Sequence, residues 1–344
     1  MPAEWAAHEA TWLSWPHNQE TWPGKRLNEV CEIYFQMLEA LLPHEKVHLL
    51  VCNERQRDEI EHKLQSRRIR AQNLIYHRSP TVDAWIRDYG PTFLILGKKE
   101  GGEEHDLSRK KKAWCKWIFN AWGGKYPSLM KDTEIFQDRS LIPYPCFDAG
   151  WVLEGGSIEV NGEGTCLTTE QCLLNPNRNP RLSRREIEQH LKNDLGVSHI
   201  VWLSEGIVGD DTDGHIDDIA RFVNATTILA AYERDEADEN YPILKKNWEL
   251  LENARDPQGR KWDLIKFPLP GKVVDQGARL PASYANFYIA DQAVLLPVYD
   301  HRNDRNAASI LKELFPGRHI VPISCTALVY GLGAIHCVTQ QEPA

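Results

Sequence analysis

The sequence lacks any run of about 18 consecutive apolar residues, so it predicts no transmembrane helix. Its first residues, Met-Pro-Ala-Glu-Trp, lack the basic segment followed by an apolar one that begins a signal peptide. Eight cysteines are present, but no two of them form a Cys-x-x-Cys pair, which argues against a structural zinc site. Free thiols in a reducing compartment are the default for such a chain, and we therefore expect a cytoplasmic globular protein.

Positive charge is also in short supply, because 49 acidic residues outnumber 40 Lys and Arg residues and give a formal net charge of −9. This balance argues against nucleic acid or an anionic membrane as a partner, and it is compatible with a cationic substrate. The apolar fraction of 42% is enough for a substantial core, and 344 residues are long enough for one large domain or two.

Strand-like and helix-like segments alternate along the whole chain, and no Ser/Gly-rich linker or change of composition divides it. We therefore predict a single α/β domain over residues 1–344, in which the strand-helix rhythm recurs about five times. The charged, glycine-bearing run 97–112 is interpreted as a solvated excursion without a chemical role. The predicted helices cover 28–42, 54–66, 183–195, 241–254 and 306–315, and the clearest strands cover 46–52, 92–96, 199–203, 262–268 and 319–323.

A glycine-bearing stretch near the end of the sequence, Gly-Leu-Gly-Ala-Ile-His-Cys-Val-Thr-Gln-Gln over 331–341, carries Cys337. Glycines allow backbone angles that other residues avoid, so such a loop can turn tightly and set a side chain into a cleft. Cys337 is therefore a candidate nucleophile. The alternative is a small buried hydrophobic residue, which is the usual environment of a free cysteine.

Three further loops carry acidic or titratable side chains. Asp88 follows Arg87 just before a Gly-Pro pair, Glu154 precedes two glycines, and His215 lies among the aspartates of 210–218. Taken singly, each loop has a plain interpretation: a surface salt bridge, a solvated strand end, and a solvated or calcium-binding loop. The loop with His215 lacks the residue spacing of an EF-hand, which argues against the calcium interpretation.

Together these residue types suit a guanidinium group. A cysteine supplies the nucleophile, a histidine supplies acid/base chemistry, and carboxylates accept paired hydrogen bonds from the nitrogens of the planar cation. A cysteine protease attacks a neutral acyl carbon and needs oxyanion donors rather than carboxylates. The set therefore indicates a small cationic guanidino substrate.

The chain resembles the agmatine deiminases, also known as Porphyromonas-type peptidylarginine deiminases, within the guanidino-modifying pentein superfamily. The resemblance runs through motifs such as Phe-Asn-Ala-Trp-Gly-Gly-Lys and Leu-Glu-Gly-Gly-Ser, and it covers essentially the whole chain. Each motif alone is weak, but nine in order are specific. They lie at 2–5, 11–16, 85–91, 119–125, 153–157, 173–178, 209–217, 283–290 and 331–341.

This resemblance implies a five-bladed α/β propeller, the pentein fold, with pseudo-five-fold symmetry and the active site on its axis. It also implies that Cys337 is the nucleophile and that His215 is the general acid/base. Glu154 would support His215 and bind the guanidinium, while Asp88 and Asp217 would hold the guanidinium nitrogens.

For the rest of the substrate, the resemblance implies that Trp85 and Asp211 contact the carbon chain and the distal amine. Asp88 and Asp217 complete the implied substrate-binding set. The chain departs from the usual family residues at Tyr89, Asp211, Leu332 and Ala334. These departures leave the implied catalytic residues in place and bear on the identity of the substrate tail.

The implied reaction is hydrolysis of agmatine to N-carbamoylputrescine and ammonia through a covalent intermediate on Cys337, without cofactor or metal, as a step in putrescine and polyamine biosynthesis. Deimination of peptidylarginine or free arginine by the same site is the nearest alternative. Amidino transfer to an amine and non-catalytic cation binding are two others. A homo-oligomer is compatible with the sequence, which is silent on oligomeric state.

Overall fold

Strands and helices alternate through residues 1–96 and 112–344, which are the residues that the computed structural model of the protein describes. The strands are β1 (His8–Ser14), β2 (Lys46–Val51), β3 (Leu74–Arg78), β4 (Thr92–Ile95), β5 (Lys112–Ile118), β6 (Cys146–Val152), β7 (Glu159–Val160), β8 (Thr165–Thr169), β9 (His199–Leu203), β10 (Ala220–Phe222), β11 (Thr227–Tyr232), β12 (Asp263–Pro268), β13 (Val274–Asp275), β14 (Ala278–Arg279), β15 (Tyr288–Ile289), β16 (Ala293–Val298), β17 (His319–Ser324) and β18 (Thr339–Pro343).

Five helices are longer than two turns, and three are single turns. The helices are α1 (Lys25–Leu41), α2 (Glu54–Ser66), α3 (Ile86–Tyr89), α4 (Ala121–Gly124), α5 (Glu170–Leu173), α6 (Arg184–Leu195), α7 (Asn240–Asn253) and α8 (Asp304–Leu314). None of these helices combines the length and the apolar character that crossing a membrane requires. The excursion predicted over 97–112 lies outside the described residues, except for Lys112, which begins β5.

One pairing pattern recurs in the sheets. In β4-β5-β6, β7-β8-β9, β10-β11-β12 and β15-β16-β17, the first two strands are antiparallel and the last two are parallel. The sheet β18-β1-β2-β3 starts with the same pattern and adds one more parallel strand. The strand nearest the C-terminus therefore pairs with the first strand and completes a fifth sheet. A separate hairpin, β13-β14, lies outside this pattern.

Local sequence explains where the helices begin and end. Helix α6 starts after Ser183, which forms a capping box with Glu186, and it ends at Gly196 in the left-handed region. Helix α2 starts after Asn53, whose side chain accepts from the backbone N–H of Gln56. The predicted helices are confirmed, with boundaries within three residues of those observed. The largest difference is at α1, which begins three residues earlier than expected.

Two strand-like runs of the sequence, 151–160 and 220–232, each contain a break in the structure. The run 151–160 breaks into β6 and β7 around a 3₁₀ turn at Gly155–Ser157. The run 220–232 folds back on itself as the antiparallel pair β10-β11. The first break lies just before β7, which has two residues, and the second lies just after β10, which has three. Glu154, a residue of the candidate site, comes directly before the first of these breaks.

Three of the four N-terminal tryptophans are core residues. Trp12 and Trp22 are fully buried, and Trp15 is nearly so. Trp22 also packs against Trp85, with 5.3 Å between the ring centroids, and its indole N–H donates to the backbone oxygen of Leu328 at 3.2 Å. The segment that follows β1 is thereby fixed against the loop that precedes Cys337.

We expect deletion of residues 340–344 to lower the melting temperature by at least ~5 °C, because β1 loses its antiparallel partner and β18 is buried along its whole length. Circular dichroism during heating measures the effect. Deletion of the exposed Ala344 alone is the control and should shift the midpoint little. An unchanged midpoint in the longer deletion would show that the β1-β18 pairing contributes little to stability.

Candidate active site

Each of the five sheets is preceded by a short turn or loop at its first strand, and polar residues on these five connections converge. Four of the connections carry residues predicted from the sequence, and the fifth is the loop before β15. The converging residues are Asp88 on α3, Glu154 before the turn at Gly155–Ser157, His215 and Asp217 around the turn at Ile216–Asp218, Asn286 before β15, and Cys337 on the turn at His336–Val338.

A cavity of about 430 Å³ opens beside these turns. The cavity is lined by four of the residues predicted from the sequence: Cys337, Asp88, Trp85 and Asp211. The segment after β1 contributes Glu20 and its neighbours to the rim. Three of the lining side chains are carboxylates, and no Lys or Arg is among the lining residues of the described chain. The cavity therefore suits a cation.

The thiol of Cys337 is nearly buried, with 7% of the residue exposed. Its sulphur lies 3.2 Å from Asn286 Nδ2 and 3.7 Å from Asp217 Oδ2. Burial raises the pKa of Cys337 well above its usual value, and the carboxylates of Asp217, Asp218 and Asp88 raise it further. Without a ligand, Cys337 is thus a protonated thiol.

Asn286 is a site residue that the sequence did not single out. Its Oδ1 accepts the backbone N–H of His336 at 2.9 Å, while its Nδ2 contacts the Cys337 sulphur. One side chain therefore shapes the turn that carries the cysteine and touches the sulphur itself. It lies inside 283–290, one of the nine resembling motifs, but an amide has no titration behaviour that would mark it as chemically active.

The carboxylate of Asp88 is buried and held from two sides. Oδ1 accepts the backbone N–H of Gly156 at 2.9 Å, and Oδ2 accepts the indole N–H of Trp122 at 2.9 Å. Burial raises the pKa of Asp88 to about 6, against the opposing effect of His215. A Cβ on Gly156 would lie 2.5 Å from His215 Nδ1. Only glycine at this position therefore leaves room for the side chains of Asp88 and His215 to approach each other.

His215 lies between two carboxylates without a hydrogen bond to either. Nδ1 is 3.8 Å from Asp88 Oδ1, and Nε2 is 3.8 Å from Glu154 Oε2, which are both too long for hydrogen bonds. Neither buried ring nitrogen has a partner among the described residues. Burial alone would lower the pKa of His215, but Asp88, Cys172 and Glu154 raise it well above its usual value. The ring therefore carries a proton that it can donate.

Glu154 is fixed by Arg178, a second residue without a predicted role. Arg178 Nε donates to Glu154 Oε1 at 2.7 Å, and Nη2 donates to the backbone oxygen of Thr212 at 2.7 Å. Burial raises the pKa of Glu154, but His215 and Arg178 together bring it below its usual value. Arg178 thus keeps Glu154 ionised and joins it to the loop of His215.

One group of three side chains has the spacing of metal ligands among the described residues. Glu154, Cys172 and His215 offer ligand atoms within 4.8 Å of one another. Arg178 binds the Glu154 carboxylate, and a cation in that position opposes the entry of a second one. We therefore interpret this group as part of the proton chemistry of His215.

Asp217 is held on one side only. Its Oδ2 accepts from His336 Nδ1 at 2.7 Å, whereas its buried Oδ1 has no partner among the described residues. Burial raises the pKa of Asp217, but His336 lowers it below the usual value overall. An ionised acceptor atom with no partner, close to a thiol, is a place for the N–H of a ligand.

The remaining predicted residues lie further out in the cavity. Trp85 faces the turn of Cys337 so closely that a Cβ on Gly333 would lie 2.5 Å from its ring. Asp211 is half-buried, and it accepts a hydrogen bond from the hydroxyl of Tyr126. Burial raises the pKa of Asp211. The cavity thus continues from the thiol, past an indole face, to a carboxylate.

Known proteins are similar to this chain over its whole length. The family model described as Porphyromonas-type peptidyl-arginine deiminase matches residues 1–343. A Legionella pneumophila protein, provisionally named an agmatine deiminase, is 40% identical over 347 residues, which cover 100% of this chain and 94% of the relative. A Yersinia pestis protein with the same provisional name is 36% identical over 366 residues, covering 100% and 95%.

Solved structures are similar over the same length. The agmatine deiminase of Enterococcus faecalis superposes with a TM-score of 0.86 at 31% identity, covering 100% of this chain and 95% of that one. A cysteine-to-serine variant of the C. jejuni agmatine deiminase with substrate bound gives 0.85 at 30% identity, covering 100% and 96%. At 13% identity, DDAH from Pseudomonas aeruginosa shares the mixed α/β fold, with a TM-score of 0.51 and coverage of 97% and 99%.

The chain therefore shares the mixed α/β fold of these solved structures. The family match extends over almost every residue of the chain, and the curated relatives match over its full length. The chain belongs to the Porphyromonas-type peptidyl-arginine deiminase family.

Proposed function

We propose that this protein is an agmatine deiminase, which hydrolyses agmatine to N-carbamoylputrescine and ammonia through a covalent intermediate on Cys337. One observation carries the proposal: a buried thiol faces a cavity lined by carboxylates, beside buried polar atoms on Asp217 and His215 that have no partner among the described residues. A guanidinium supplies the N–H donor that the unpartnered Oδ1 of Asp217 lacks. Ammonia release from agmatine, with no amine acceptor added, tests the activity and separates hydrolysis from amidino transfer.

In this proposal the guanidinium lies between Asp88 and Asp217, with its central carbon facing Cys337. The buried Oδ1 of Asp217 has no other partner, and Asp88 keeps lone pairs beyond its two hydrogen bonds to the protein. The positive charge of the ligand offsets the carboxylates that keep the thiol protonated. Binding therefore lowers the pKa of Cys337 and releases its proton, so that the thiolate forms when the substrate is present.

The thiolate then attacks the guanidinium carbon and forms a C–S bond. His215, which holds a proton in the ligand-free site, donates it to the departing nitrogen, and ammonia leaves. A positively charged S-alkylisothiouronium remains on Cys337. Neutral His215 next takes a proton from water, whose oxygen attacks the same carbon. The C–S bond breaks as the C=O bond of the ureido product forms, and the remaining hydroxyl proton is taken up by the released ammonia in solution.

The charge of the cavity supports agmatine over free arginine. The tail of agmatine ends in an ammonium, which Asp211 and Glu20 attract, whereas the α-carboxylate of arginine would be repelled by them. The segment after β1, whose Glu20 and Thr21 line the cavity, also favours a small substrate over a polypeptide. Deimination of peptidylarginine or free arginine at the same site is the alternative.

We also propose that the five sheets are the blades of one α/β propeller with pseudo-five-fold symmetry, and that 1–344 form a single catalytic domain. The pairing pattern shared by the five sheets, and the converging turns that precede their first strands, support this arrangement. The proposed reaction needs no cofactor, metal, nucleic acid or membrane, and it is compatible with a cytoplasmic location and with a homo-oligomer.

Cys337→Ala should lower turnover of agmatine by at least ~10³-fold, because no covalent intermediate can form. The half-buried Cys146 provides the control, and Cys146→Ala should keep full activity. Mass spectrometry should locate a reagent that carries a cationic amidine on Cys337, with protection by agmatine. Neutral iodoacetamide should not favour this site, since burial and carboxylates hold Cys337 as a thiol. Substantial activity in Cys337→Ala would contradict the mechanism.

The value of kcat/KM for agmatine should fall as pH drops through about 6, because protonated Asp88 has lost the charge that attracts the guanidinium. The raised pKa of Asp88 means that its ionised form dominates above that pH and is lost below it. At saturating agmatine, kcat should fall at a lower pH than kcat/KM does, since the bound cation keeps the Asp88 carboxylate ionised. Asp88→Asn should bind agmatine weakly at every pH. A flat kcat/KM profile from pH ~5 to ~8 would remove Asp88 from the binding role.

We expect kcat/KM for agmatine to exceed that for free arginine at least ~100-fold, which corresponds to about 2.7 kcal/mol. An N-acylated arginine amide should also be a poor substrate. Asp211→Asn should reduce the ratio of kcat/KM for agmatine to kcat/KM for arginine by raising KM for agmatine. Ser128→Ala, at another position of the cavity wall, is the matched control. Equal or faster turnover of arginine or of the amide would reassign the activity and leave the catalytic residues in place.

A further inference from the structure

His336, the residue before the nucleophile, connects the site to the N-terminal segment. Its Nδ1 lies 2.7 Å from Asp217 Oδ2, and its Nε2 lies 2.8 Å from Glu4 Oε2. All three side chains are almost completely excluded from solvent. The described structure thus contains a buried row of side chains, Glu4–His336–Asp217, that ends 3.7 Å from the sulphur of Cys337.

Both nitrogens of the His336 ring face carboxylate oxygens, which can only accept when ionised. A neutral imidazole has one donor and one acceptor nitrogen, so the imidazolium alone can donate to both carboxylates. Charge-assisted hydrogen bonds of this kind are short and strong. The geometry therefore favours a positively charged His336 between Glu4 and Asp217.

Glu4 is anchored independently of His336. Its Oε1 accepts from Arg221 Nη2 at 2.8 Å and from the backbone N–H of Ile289 at 2.8 Å. Arg87 lies 3.4 Å from Oε2. Burial alone would raise the pKa of Glu4, but Arg221, His336 and Arg87 together keep it well below its usual value. Glu4 is therefore a fixed anion, and it holds the Nε2 side of the His336 ring in place.

The two oxygens of Asp217 are used differently. Oδ2 receives the bond from His336 Nδ1, while Oδ1 is buried and has no partner among the described residues. A carboxylate held at one oxygen by a ring that cannot rotate keeps the other oxygen in one direction. The free oxygen is the one that the proposed function gives to the guanidinium.

We propose that His336 is a positioning residue, which Glu4 anchors and which fixes Asp217 so that Oδ1 accepts from the guanidinium of the substrate. The inference rests on the proposed function, because it names that substrate class. The proposal adds Glu4 to the residues that determine substrate binding, although Glu4 lies more than 300 positions from His336 in the sequence. It also explains why the residue before the nucleophile is charged and buried rather than apolar.

Two substitutions of His336 separate its two hydrogen bonds. The amide nitrogen of Asn lies near the position of Nδ1, and that of Gln reaches the position of Nε2. His336→Asn therefore keeps a donor for Asp217, whereas His336→Gln keeps a donor for Glu4. Both variants remove the positive charge, and Asn, which is one carbon shorter than Gln, leaves the larger cavity. A merely structural role of His336 would therefore make His336→Asn at least as damaging as His336→Gln.

The test measures the dissociation constant of agmatine by calorimetry in the Cys337→Ala background, where no turnover occurs, and kcat and KM with Cys337 present. We expect His336→Gln to weaken binding at least ~10-fold more than His336→Asn, with the difference appearing mainly in KM. Equal weakening in the two variants, or greater weakening in His336→Asn, would overturn the inference.

Glu159→Gln is the matched control, because Glu159 binds Arg221 in the same buried cluster and touches neither His336 nor Asp217 in the described contacts. It should change the dissociation constant less than ~3-fold. Weakening as large as that of His336→Gln would assign the effect to the cluster in general and overturn the inference.

A measurement on the unaltered protein covers the case in which the His336 variants do not fold. Nitrogen NMR of histidine-labelled enzyme should show two buried imidazoliums with both ring nitrogens protonated, and the one that persists in His215→Ala belongs to His336. Agmatine should shift the Nδ1 signal of His336, and a neutral ring there would overturn the inference. Ammonia release from agmatine by the unaltered enzyme tests the proposed function separately. A protein that binds agmatine without hydrolysing it fails that test, and the Asn-to-Gln comparison still decides the role of His336.

Discussion

The guanidinium of Arg221 is completely buried, and its hydrogen bonds join parts of the chain that are far apart in sequence. Nε binds Glu159 on β7 at 3.0 Å, Nη2 binds Glu4 at 2.8 Å, and Nη1 donates to the backbone oxygens of Ala285 and Phe287. Removing one partner of a buried ion pair typically costs about 3–5 kcal/mol, because the other charge is left without compensation. The mutual placement of three sheets and the N-terminal segment therefore depends on this one side chain.

The candidate site follows from that placement, because Glu4 reaches His336 only where Arg221 holds it. Around the cavity, carboxylates outnumber cations. Burial and nearby carboxylates keep the thiol of Cys337 protonated. In the proposed mechanism, such a site is unreactive until a cation enters it. Electrostatic complementarity would then serve both selection and activation, since the charge that is recognised also generates the nucleophile.

The sequence was sufficient for the alternation of strands and helices, for most helix boundaries, and for the loops that carry the candidate residues. These features depend on local periodicity, capping residues and glycine, which are visible in a single chain. Asp88, Glu154, His215 and Cys337 share the region around one cavity, as the chemistry of a guanidinium site suggested.

Other contributions could not be read from the sequence. Asn286, Arg178 and His336 act through contacts with residues 24 to 332 positions away, and an amide or a buried arginine has no local pattern that indicates its role. The pairing of β18 with β1 has the same origin, because no periodicity indicates which distant strand lies alongside. Very short strands such as β7 and β15 also carry too few residues for an alternation to be recognised.

Glu4 and His336 are 332 residues apart in the chain, so they are synthesised at different times. At a synthesis rate of about 5–20 residues per second, roughly 15–65 s separate the appearance of these two residues at the ribosome. During that interval β1 has one edge without its final partner, and the carboxylate of Glu4 lacks the imidazole that it later binds. An unpaired strand edge is a template for association with other chains. The contacts that complete the candidate site therefore also end the period in which the growing chain is most open to aggregation.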